Sequence, residues 1–366
     1  MPASNNKLIL LCAGGTGGHL FPAESLAVVL NRRGVTVDLA TDTRAAHFKF
    51  PAREVHLIPS ATVRGRDPIS LARTALMLAR GTLKAWSVIG RIRPNAVVGF
   101  GGYPTVPPLI AASWRGVPTV LHEQNAVMGR ANRLLAARVT AIATGFRVLN
   151  KVDDKVRPKL TFTGNPVRPA VLEATQIPYD QPREGGTLNL LVFGGSQGAR
   201  VMSEIVPPAI GRLDAALRAR LSIVQQARAE DIEVVRATYQ NLGVAAECAP
   251  FFADLPARMA AAHLVISRSG ASTVAELSAI GRPGILVPLP HALDQDQLAN
   301  AGVLQDAGGA IRIIQAEFTP ERLARELEAL ATDPLRLGAM AHAAKASGTL
   351  DAAEELADLV LRVASY

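Results

Sequence analysis

Two glycine-rich stretches of this chain have the residue types that bind an anionic group. Residues 13–19 read "AGGTGGH" and residues 193–199 read "FGGSQGA". Each follows an apolar run and precedes a helix-like run, so each predicts a turn from a strand into a helix. Backbone N–H groups at such a helix start favour anions, and glycine lets a ligand approach the backbone. Both stretches are candidate phosphate sites, although a tight turn without a ligand has the same pattern.

Four further stretches place polar residues where strands are predicted to end. They are "GFGGYPTVPP" (99–108), "HEQNAVMGRAN" (122–132), "SRSGASTVAEL" (267–277) and "PHALDQDQLANA" (290–301). Doubly wound folds bind their ligands at the C-terminal ends of parallel strands. We therefore expect all six stretches to contribute to ligand sites.

The elements that position these stretches are short β-branched runs that alternate with helix-like segments. We predict seven strands in the first half, starting near residues 8, 35, 55, 96, 119, 140 and 160, and six in the second, starting near 188, 221, 244, 264, 284 and 310. Runs that are apolar on both faces and separated by helices indicate parallel sheets covered on both sides. Because the strand–glycine–helix pattern starts twice, the predicted fold is α/β, with two tandem doubly wound, Rossmann-like domains.

The predicted domain boundary lies in "TGNPVRP" (163–169), where glycine, proline and a change of charge coincide. This gives an N-terminal domain over 1–166 and a C-terminal domain over 167–350. Residues 351–366 form a last helix that could pack on either domain, including a return to the first.

The net charge of +8 is unevenly distributed along the chain. Residues 1–166 carry 22 Lys and Arg against 8 Asp and Glu, a net +14, whereas the remainder carries 17 against 23, a net −6. The basic half predicts an anionic partner. Nucleic acid is one such partner, but an aromatic content of 4% disfavours a base-stacking platform, so we expect no nucleic acid.

Other classes of protein are excluded by composition and spacing. No run approaches the ~18 apolar residues of a membrane-spanning helix, and the N-terminus lacks the pattern of a signal peptide. Cys12 and Cys248 are far apart and read as core residues of a reducing compartment. The seven histidines lack metal-ligand spacing, so no zinc site is expected.

A dinucleotide-binding dehydrogenase is disfavoured by the first glycine stretch. Its fingerprint needs a third glycine, where this chain has Leu20, although Asp42 could serve as the acid that follows the second strand. In the second half, Gln225 and Gln226 stand where that acid would be.

Taken together, the six stretches and "GNPVR" (164–168) resemble the bacterial peptidoglycan glycosyltransferases that add N-acetylglucosamine to lipid-linked muramyl-pentapeptide. The resemblance covers residues 7 to about 345, in order. It implies an inverting enzyme of the GT-B type, with a cleft between its two domains and with neither a metal nor a cofactor. It also implies UDP-N-acetylglucosamine as donor, a polyprenyl-pyrophosphoryl-muramyl-peptide as acceptor, a peripheral position on the cytoplasmic face of the inner membrane, and cell-wall synthesis proteins as partners.

The resemblance places the donor mainly on the second domain. Ser196 lies against the diphosphate, Glu276 accepts hydrogen bonds from the ribose hydroxyls, and Phe252 packs beside the uracil, with plain core as the alternative for Phe252. Gln297 reads the sugar hydroxyls, with Gln295 as the alternative register. The remaining implied donor contacts are Thr16, Gly17, Gly18, Asn125, Arg168 and the helix start Ala271, Ser272, Thr273, Val274 and Ala275.

The resemblance places the acceptor on the first domain, where the implied contacts are Gly14, Gly15, Gly101, Gly102 and Tyr103. His19 is the candidate general base, because a histidine with a pKa near neutrality can take the proton of the attacking hydroxyl. Helix N-cap and phosphate ligand are its alternative roles, and Glu123 is the second candidate base.

A basic stripe in the first domain predicts contact with an anionic membrane surface. If residues 71–89 are helical, Arg73, Arg80, Lys84 and Arg91 share one face, while Leu76, Leu83, Trp86 and Ile89 lie elsewhere and some of these face the sheet. A merely solvated basic face is the alternative.

The expected function is transfer of N-acetylglucosamine from UDP to the 4-hydroxyl of the lipid-linked muramyl sugar, which gives lipid II. A UDP-N-acetylglucosamine 2-epimerase on the same fold is the alternative enzyme, and the basic stripe argues against it. A basic nucleic-acid-binding protein is the alternative from another class.

Overall fold

The computed structural model describes residues 7–14, 17–45, 49–61, 68–195, 198–290 and 294–365. The chain divides into two compact units. Unit 1 comprises Met1–Arg168 with Leu350–Tyr366, and unit 2 comprises Pro169–Thr349. The division falls two residues beyond the expected end of the first domain, and the C-terminal segment belongs to unit 1. Gly15, Thr16 and Ser196, three of the predicted site residues, lie outside the described residues.

Unit 1 contains a parallel sheet of seven strands in the order β3-β2-β1-β4-β5-β6-β7. The strands are β1 (Leu8–Cys12), β2 (Thr36–Thr41), β3 (Val55–Leu57), β4 (Ala96–Gly99), β5 (Thr119–Glu123), β6 (Ala141–Thr144) and β7 (Leu160–Phe162). β1 and β4 are buried along their whole length, as strands covered on both faces must be. All seven predicted strands are confirmed.

Five helices cover this sheet: α1 (Gly17–Arg32), α2 (Pro68–Ile92), α3 (Val106–Trp114), α4 (Arg130–Ala136) and, from the end of the chain, α14 (Ala352–Val363). α14 packs on α1 and buries Leu356 and Val360 completely. Ion pairs from Arg32 and Arg33 to Glu354, and from Arg33 to Asp358 at 2.5 Å, border this contact. The last helix is therefore part of the core of unit 1.

Unit 2 contains a parallel sheet of six strands in the order β10-β9-β8-β11-β12-β13. The strands are β8 (Leu188–Phe193), β9 (Leu221–Gln226), β10 (Ala245–Ala249), β11 (Leu264–Ser267), β12 (Gly284–Leu286) and β13 (Ala310–Arg312). Its helices are α5 (Pro169–Ala174), α6 (Arg200–Arg212), α7 (Ala215–Ala219), α8 (Ile232–Asn241), α9 (Leu255–Ala261), α10 (Ala271–Ile280), α11 (Asp296–Asp306), α12 (Pro320–Ala331) and α13 (Pro334–Ala346). All six predicted strands are present, which confirms the predicted fold class.

The strand order locates one ligand-binding edge in each unit. The order reverses between β1 and β4 in unit 1, and between β8 and β11 in unit 2. Open α/β sheets bind ligands outside the carboxyl ends of the strands at such a switch point. The first glycine stretch and "GFGGYPT" leave β1 and β4, whereas "GGSQGA" and "SGAST" leave β8 and β11. Each pair of stretches is therefore brought to one edge.

Both cysteines, Cys12 and Cys248, are buried free thiols, as predicted for core residues. Burial raises the pKa of each thiol, so neither is a reactive thiolate near neutral pH.

Candidate active site

The switch point of unit 1 is lined by glycines at which a side chain would be crowded or strained. A Cβ added to Gly14 would lie 3.1 Å from Cβ of Pro104 and 3.2 Å from Oγ1 of Thr41. Gly101 and Gly102 have φ values of +85° and +72°, which L side chains rarely adopt. Backbone without side chains therefore lies at the ends of β1 and β4, which is the type of surface expected at an anion site.

His19 lies in the first turn of α1, against Gly101 and Gly102 of the "GFGGYPTVPP" stretch. α1 begins at Gly17, so His19 is the third helical residue and the N-cap interpretation of it is wrong. A Cβ on Gly102 would lie 3.3 Å from its Nε2, and the imidazole is hydrogen-bonded to the backbone of Phe100. Nδ1 is buried and has no hydrogen-bond partner.

Burial lowers the pKa of His19 below its ordinary value near 6.5, and the positive charge of Arg44 lowers it further. The hydrogen bond to Phe100 opposes this shift without cancelling it. The imidazole is therefore neutral at pH 7, with Nε2 carrying the proton toward a carbonyl and Nδ1 carrying the lone pair. A neutral imidazole can accept a proton, but it is a poor ligand for a phosphate.

Three buried polar side chains near the same corner also lack partners at one atom. These atoms are Oγ1 of Thr41, Oδ1 of Asp42 and Oδ1 of Asn132, taken over the described part of the chain. Buried polar atoms are normally paired, so unpaired ones at a glycine corner indicate a polar ligand or ordered water. Thr41, Arg44 and Asn132 were not among the predicted site residues. The polar run that follows the second strand was the signal for Thr41 and Arg44, and Asn132 is the last residue of the "HEQNAVMGRAN" stretch.

Arg44 supplies a positive charge at this edge. Its Nε lies 2.7 Å from Oδ2 of Asp42, which is buried, while the Arg44 side chain is half exposed. The carboxylate holds the guanidinium at the edge of the corner, from where its charge reaches His19.

The carboxylate of Glu123 is saturated by the loop that follows β5. Oε1 accepts from the backbone N–H of Asn125 at 2.9 Å and from its side-chain amide at 3.3 Å. Oε2 accepts from the N–H of Gly129 at 2.9 Å and from Asn132 at 2.7 Å. Burial raises the pKa of Glu123, and these hydrogen bonds act in the opposite direction. The geometry favours a residue that orders the loop over a free general base.

Hydrogen bonds within unit 1 join the "HEQN" stretch to the "GNPVR" stretch. His122 shares a hydrogen bond of 3.1 Å with the carbonyl of Gly164, and Asn165 donates to the carbonyl of Gln124 at 2.9 Å. Burial lowers the pKa of His122 to about 4, so it is neutral. Gln124 donates to the carbonyl of Phe100, which connects both stretches to the glycine corner.

Arg168 is the last residue of unit 1, and its guanidinium lies 4.5 Å from the centre of the Phe21 ring on α1. Its charge lowers the pKa of Glu24, against the larger opposite effect of burial. Tyr103 is half-buried in the short 3-10 turn Tyr103–Thr105. Gly17 and Gly18 begin α1, where the helical N–H groups have no partner inside the helix.

The switch point of unit 2 has a second glycine corner. A Cβ on Gly194 would lie 2.1 Å from the backbone nitrogen of Ala199, and Gly195 and Gly198 have φ values of +89° and +68°. A side chain would therefore clash with the backbone at Gly194 and would be strained at Gly195 and Gly198.

α10 presents its N-terminus at the same edge, after β11. Gly270 is the N-cap, and the N–H of Val274 already donates to the carbonyl of Gly270 at 3.0 Å. Only Ala271, Ser272 and Thr273 therefore offer free N–H groups to an anion. The N–H of Val274 is thus satisfied within the helix and its side chain is buried, and the predicted donor contact of Val274 stays a prediction.

The other predicted donor residues differ in exposure. Glu276 is buried in the second turn of α10, and Ala275 is half-buried beside it. Phe252 is buried, with the guanidinium of Arg258 at 4.3 Å from its ring centre, whereas the neighbouring Phe251 is 68% exposed.

Gln297 and Gln295 occupy different environments at the start of α11. Oε1 of Gln297 accepts from the N–H of Leu289 at 3.0 Å, and its carbonyl accepts from Oγ of Ser269 at 2.8 Å. Gln295 is exposed at the N-cap, with a left-handed φ of +54°. Gln297 thus belongs to the hydrogen-bonded frame that joins this loop to the β11 end.

One cluster in the described ranges has metal-ligand geometry that the sequence spacing did not reveal. Ligand atoms of Asp38, Glu54 and His56 lie within 4.8 Å of one another. Both oxygens of Asp38 are already bound, by Nε and Nη2 of Arg53 at 2.9 and 2.8 Å, and His56 Nε2 lies 3.0 Å from Oδ2. The cluster is an ion-pair network that joins β2 and β3.

Comparison with known proteins agrees with this geometry. The model of the glycosyltransferase family 28 N-terminal domain matches residues 9–144, and that of the C-terminal domain matches residues 189–356. A UDP-N-acetylglucosamine–N-acetylmuramyl-(pentapeptide) pyrophosphoryl-undecaprenol N-acetylglucosamine transferase of Rhodopseudomonas palustris is 63% identical over 359 residues, 98% of each chain. The protein of the same name from Nitrobacter hamburgensis is 60% identical over 363 residues, 99% of this chain and 98% of its own.

Among solved structures, the crystal structure of Acinetobacter baumannii MurG superposes with a TM-score of 0.78 at 28% identity. The match covers 97% of this chain and 99% of that one. Two matched domains, relatives above 60% identity along nearly the whole chain and a full-length structural match agree. The chain belongs to glycosyltransferase family 28 and is a glycosyltransferase of the GT-B type.

Proposed function

We propose that this enzyme transfers N-acetylglucosamine from UDP-N-acetylglucosamine to the 4-hydroxyl of an N-acetylmuramyl-pentapeptide carried on a polyprenyl pyrophosphate. The product is lipid II, the precursor of peptidoglycan. The observation that carries the chemistry is the buried imidazole of His19, which lies against Gly101 and Gly102 at the switch point of unit 1 and has no partner at Nδ1. The relatives' names identify both substrates for those proteins, and their high identity supports the same substrates here.

Unit 2 holds the donor in this proposal. The three free N–H groups at the start of α10, on Ala271, Ser272 and Thr273, face the diphosphate together with the Gly194 corner. Glu276 accepts hydrogen bonds from the ribose hydroxyls, and Phe252 lies beside the uracil. Gln297 donates its side-chain NH₂ group to the sugar, because its side-chain oxygen, Oε1, already accepts from the N–H of Leu289.

Unit 1 holds the acceptor and the base in this proposal. Nδ1 of His19 takes the proton of the 4-hydroxyl as that oxygen attacks the anomeric carbon. The bond from this carbon to the UDP oxygen breaks, and the configuration inverts because attack and departure are on opposite faces. UDP leaves with its charge balanced by helix N–H groups and by Arg168. The Gly14 and Gly101–Gly102 corners bind the pyrophosphate of the acceptor.

Glu123 and Asn125 act on this chemistry through the loop they order. The four hydrogen bonds on Glu123 hold the loop so that Asn125 can contact the donor sugar and Asn132 can present its free oxygen to the acceptor. In this arrangement Glu123 is a positioning residue and His19 is the base.

A membrane-docking surface on α2 would bring the enzyme to its lipid-borne acceptor. Arg73, Arg80, Lys84 and Arg91 are all exposed on this helix. Leu76 and Leu83 are exposed by 54% and 70%, whereas Ile89 is buried and faces the sheet. Trp86 is 37% exposed, and Trp114 at the end of the neighbouring α3 is 64% exposed. In the part of the chain that the structure describes, no helix is long and apolar enough to cross a membrane.

Exposed leucine and tryptophan beside a basic stripe is the composition of surfaces that insert shallowly between anionic lipids. Each basic residue near such a surface contributes about 1 kcal/mol, so four contribute about 4 kcal/mol. This supports reversible attachment without a spanning helix.

The direct test is to incubate the enzyme with radiolabelled UDP-N-acetylglucosamine, with and without the lipid-linked muramyl-pentapeptide. We expect the label to move to the lipid only when the acceptor is present. Conversion of the donor to its 2-epimer without acceptor would instead identify an epimerase. Absence of any donor turnover with the acceptor present would refute the proposal.

A further inference from the structure

A buried glutamine at the end of β9 in unit 2 joins two loops of the proposed donor site. Gln226 is the last residue of β9 and is 7% exposed. β9 lies between β8 and β10 in the sheet. The residue after β8 is Gly194, which begins the glycine corner, and the residue after β10 is Pro250, two residues before Phe252.

The carboxamide of Gln226 binds both of these exits. Its Oε1 accepts from the N–H of Gly194 at 3.1 Å, and its Nε2 donates to the carbonyl of Pro250 at 3.1 Å. A carboxamide has the same donor and acceptor as a peptide group, so it continues the hydrogen bonding of the sheet past the point where the backbone strands separate. The backbone after Gln226 is itself held beside β10, because the N–H of Ala227 donates to the carbonyl of Ala249 at 3.1 Å.

These two hydrogen bonds determine where the chain goes after each strand. The N–H of Gly194 precedes Gly195 and Gly198, which have left-handed φ, so its hydrogen bond fixes the peptide plane at the start of this corner. The carbonyl of Pro250 precedes Phe251 and Phe252, so its orientation sets the height of that loop above the sheet. One side chain therefore couples the diphosphate side of the site to the uracil side.

We infer that Gln226 is a positioning residue for the donor, which spaces the glycine corner and the Phe252 loop to the length of a nucleoside diphosphate. This inference rests on the proposed role of unit 2 in donor binding. It extends that role to a residue that touches no substrate atom and that the sequence analysis considered only as a mismatch to a dehydrogenase.

The neighbouring glutamine provides a matched control. Gln225 is fully buried on the same strand, and its carboxamide accepts from the Tyr239 hydroxyl at 2.5 Å and donates to the carbonyl of Met202 at 3.4 Å. These partners belong to α8 and α6 and to neither loop of the site. Replacing Gln225 by Met therefore removes two buried hydrogen bonds at the same sheet without changing the exits.

The experiment compares Gln226→Met with Gln225→Met, using calorimetric binding of UDP, thermal unfolding, and KM values for donor and acceptor. We expect Gln226→Met to weaken UDP binding and raise the donor KM by about tenfold, with the acceptor KM unchanged. Gln225→Met should lower the unfolding temperature at least as much and leave UDP affinity within twofold of wild type. If Gln226→Met binds UDP like wild type, or if Gln225→Met weakens UDP equally, the inference is overturned.

A second variant covers the case in which Gln226→Met does not fold. Gln226→Glu keeps an oxygen for the N–H of Gly194 but can no longer donate to Pro250, so it should fold and still weaken UDP. Wild-type affinity for UDP in a folded Gln226→Glu would count against the inference. Two outcomes separate this inference from the proposed function. If the wild-type enzyme transfers sugar and the variants bind UDP normally, only this inference is refuted. If the wild-type enzyme neither binds UDP nor transfers sugar, the proposed function is refuted.

Discussion

At the scale of single residues, the account depends on the protonation state of His19. Burial and the charge of Arg44 keep its imidazole neutral, and the hydrogen bond to Phe100 selects Nδ1 as the atom with the lone pair. Such a group can act as a base at neutral pH without a partner carboxylate. Glu123, by contrast, accepts two hydrogen bonds on each carboxylate oxygen, so neither oxygen is available to take the proton of the attacking hydroxyl.

The variant His19→Ala should lower kcat by about 10²–10⁴, the usual contribution of a general base, with little change in the donor KM. The base is active when unprotonated, so wild-type kcat should fall as the pH drops through a pKa below 6.5. This acidic limb should be absent from the variant. The pH profile of kcat at saturating substrates measures both effects.

A matched control is His263→Gln, since His263 is also buried with a pKa lowered by burial but binds the backbone of Asn189 in unit 2. Its kcat profile should keep the acidic limb. Wild-type kcat in His19→Ala at every pH would eliminate the base role. A raised acceptor KM with the limb retained would identify a phosphate ligand instead.

The predicted site residues follow from motif position and residue type, which are local properties of the sequence. It failed where partners come from other segments. The N-cap interpretation of His19 was wrong because the helix already includes Gly17, whereas that role requires a helix that starts at Leu20, three residues later. Thr41 and Arg44 were missed because parallel pairing of β1 with β2 brings them to the Gly14 corner from another strand.

At the scale of elements, the apolar runs were sufficient to predict all thirteen strands. The clearest of these runs are the strands covered on both faces, such as β1 and β4, which must be apolar throughout. The sequence did not predict which apolar residues of α2 face the sheet, because the regular spacing of the basic residues does not fix this. The structure buries Ile89 and exposes Leu76 and Leu83, so basic and apolar side chains share one surface.

Reversal of the α2 charges should release the enzyme from vesicles that contain anionic lipid. The variant replaces four residues by Glu: Arg73, Arg80, Lys84 and Arg91. Wild-type binding should weaken as salt rises, because screening shortens the reach of surface charges. Vesicle sedimentation over a salt series measures both effects.

The control reverses four exposed arginines away from α2, namely Arg183, Arg325, Arg336 and Arg362. It changes the net charge equally and should still sediment with the vesicles. Equal sedimentation of the α2 variant and wild type would mean that the stripe is only solvated.

The last helix makes a second prediction at this scale, because α14 completes the core of unit 1. Leu356 is fully buried there, so Leu356→Ala should lower the free energy of unfolding by about 2–5 kcal/mol. Amide exchange should speed up in unit 1, including α1, and remain slow in unit 2. The control Leu335→Ala, at a side chain 77% exposed, should change stability by less than about 0.5 kcal/mol. Faster exchange confined to unit 2 would contradict the assignment of α14.

At the scale of the whole molecule, both units place a glycine corner and a helix N-terminus at the switch point of a parallel sheet. The excess of positive charge lies in residues 1–166, within the unit to which we assign the anionic lipid acceptor. In the proposed function, backbone N–H groups and arginines neutralise the charge of the phosphates.

Transfer should therefore persist in excess EDTA at the rate seen without it. The one described cluster with ligand atoms close together has both Asp38 oxygens bound to Arg53, and backbone N–H groups can stabilise the departing diphosphate. Initial rates with and without chelator measure this. Loss of activity that magnesium or manganese restores would contradict it.

The most direct test of the central claim compares UDP release with the natural lipid-linked acceptor and with an analogue whose muramyl sugar lacks the 4-hydroxyl. The account predicts one UDP released for each N-acetylglucosamine transferred to the natural acceptor, and no transfer to the 4-deoxy analogue, because the attacking oxygen is missing. Transfer of sugar to the 4-deoxy analogue at the same rate would contradict it.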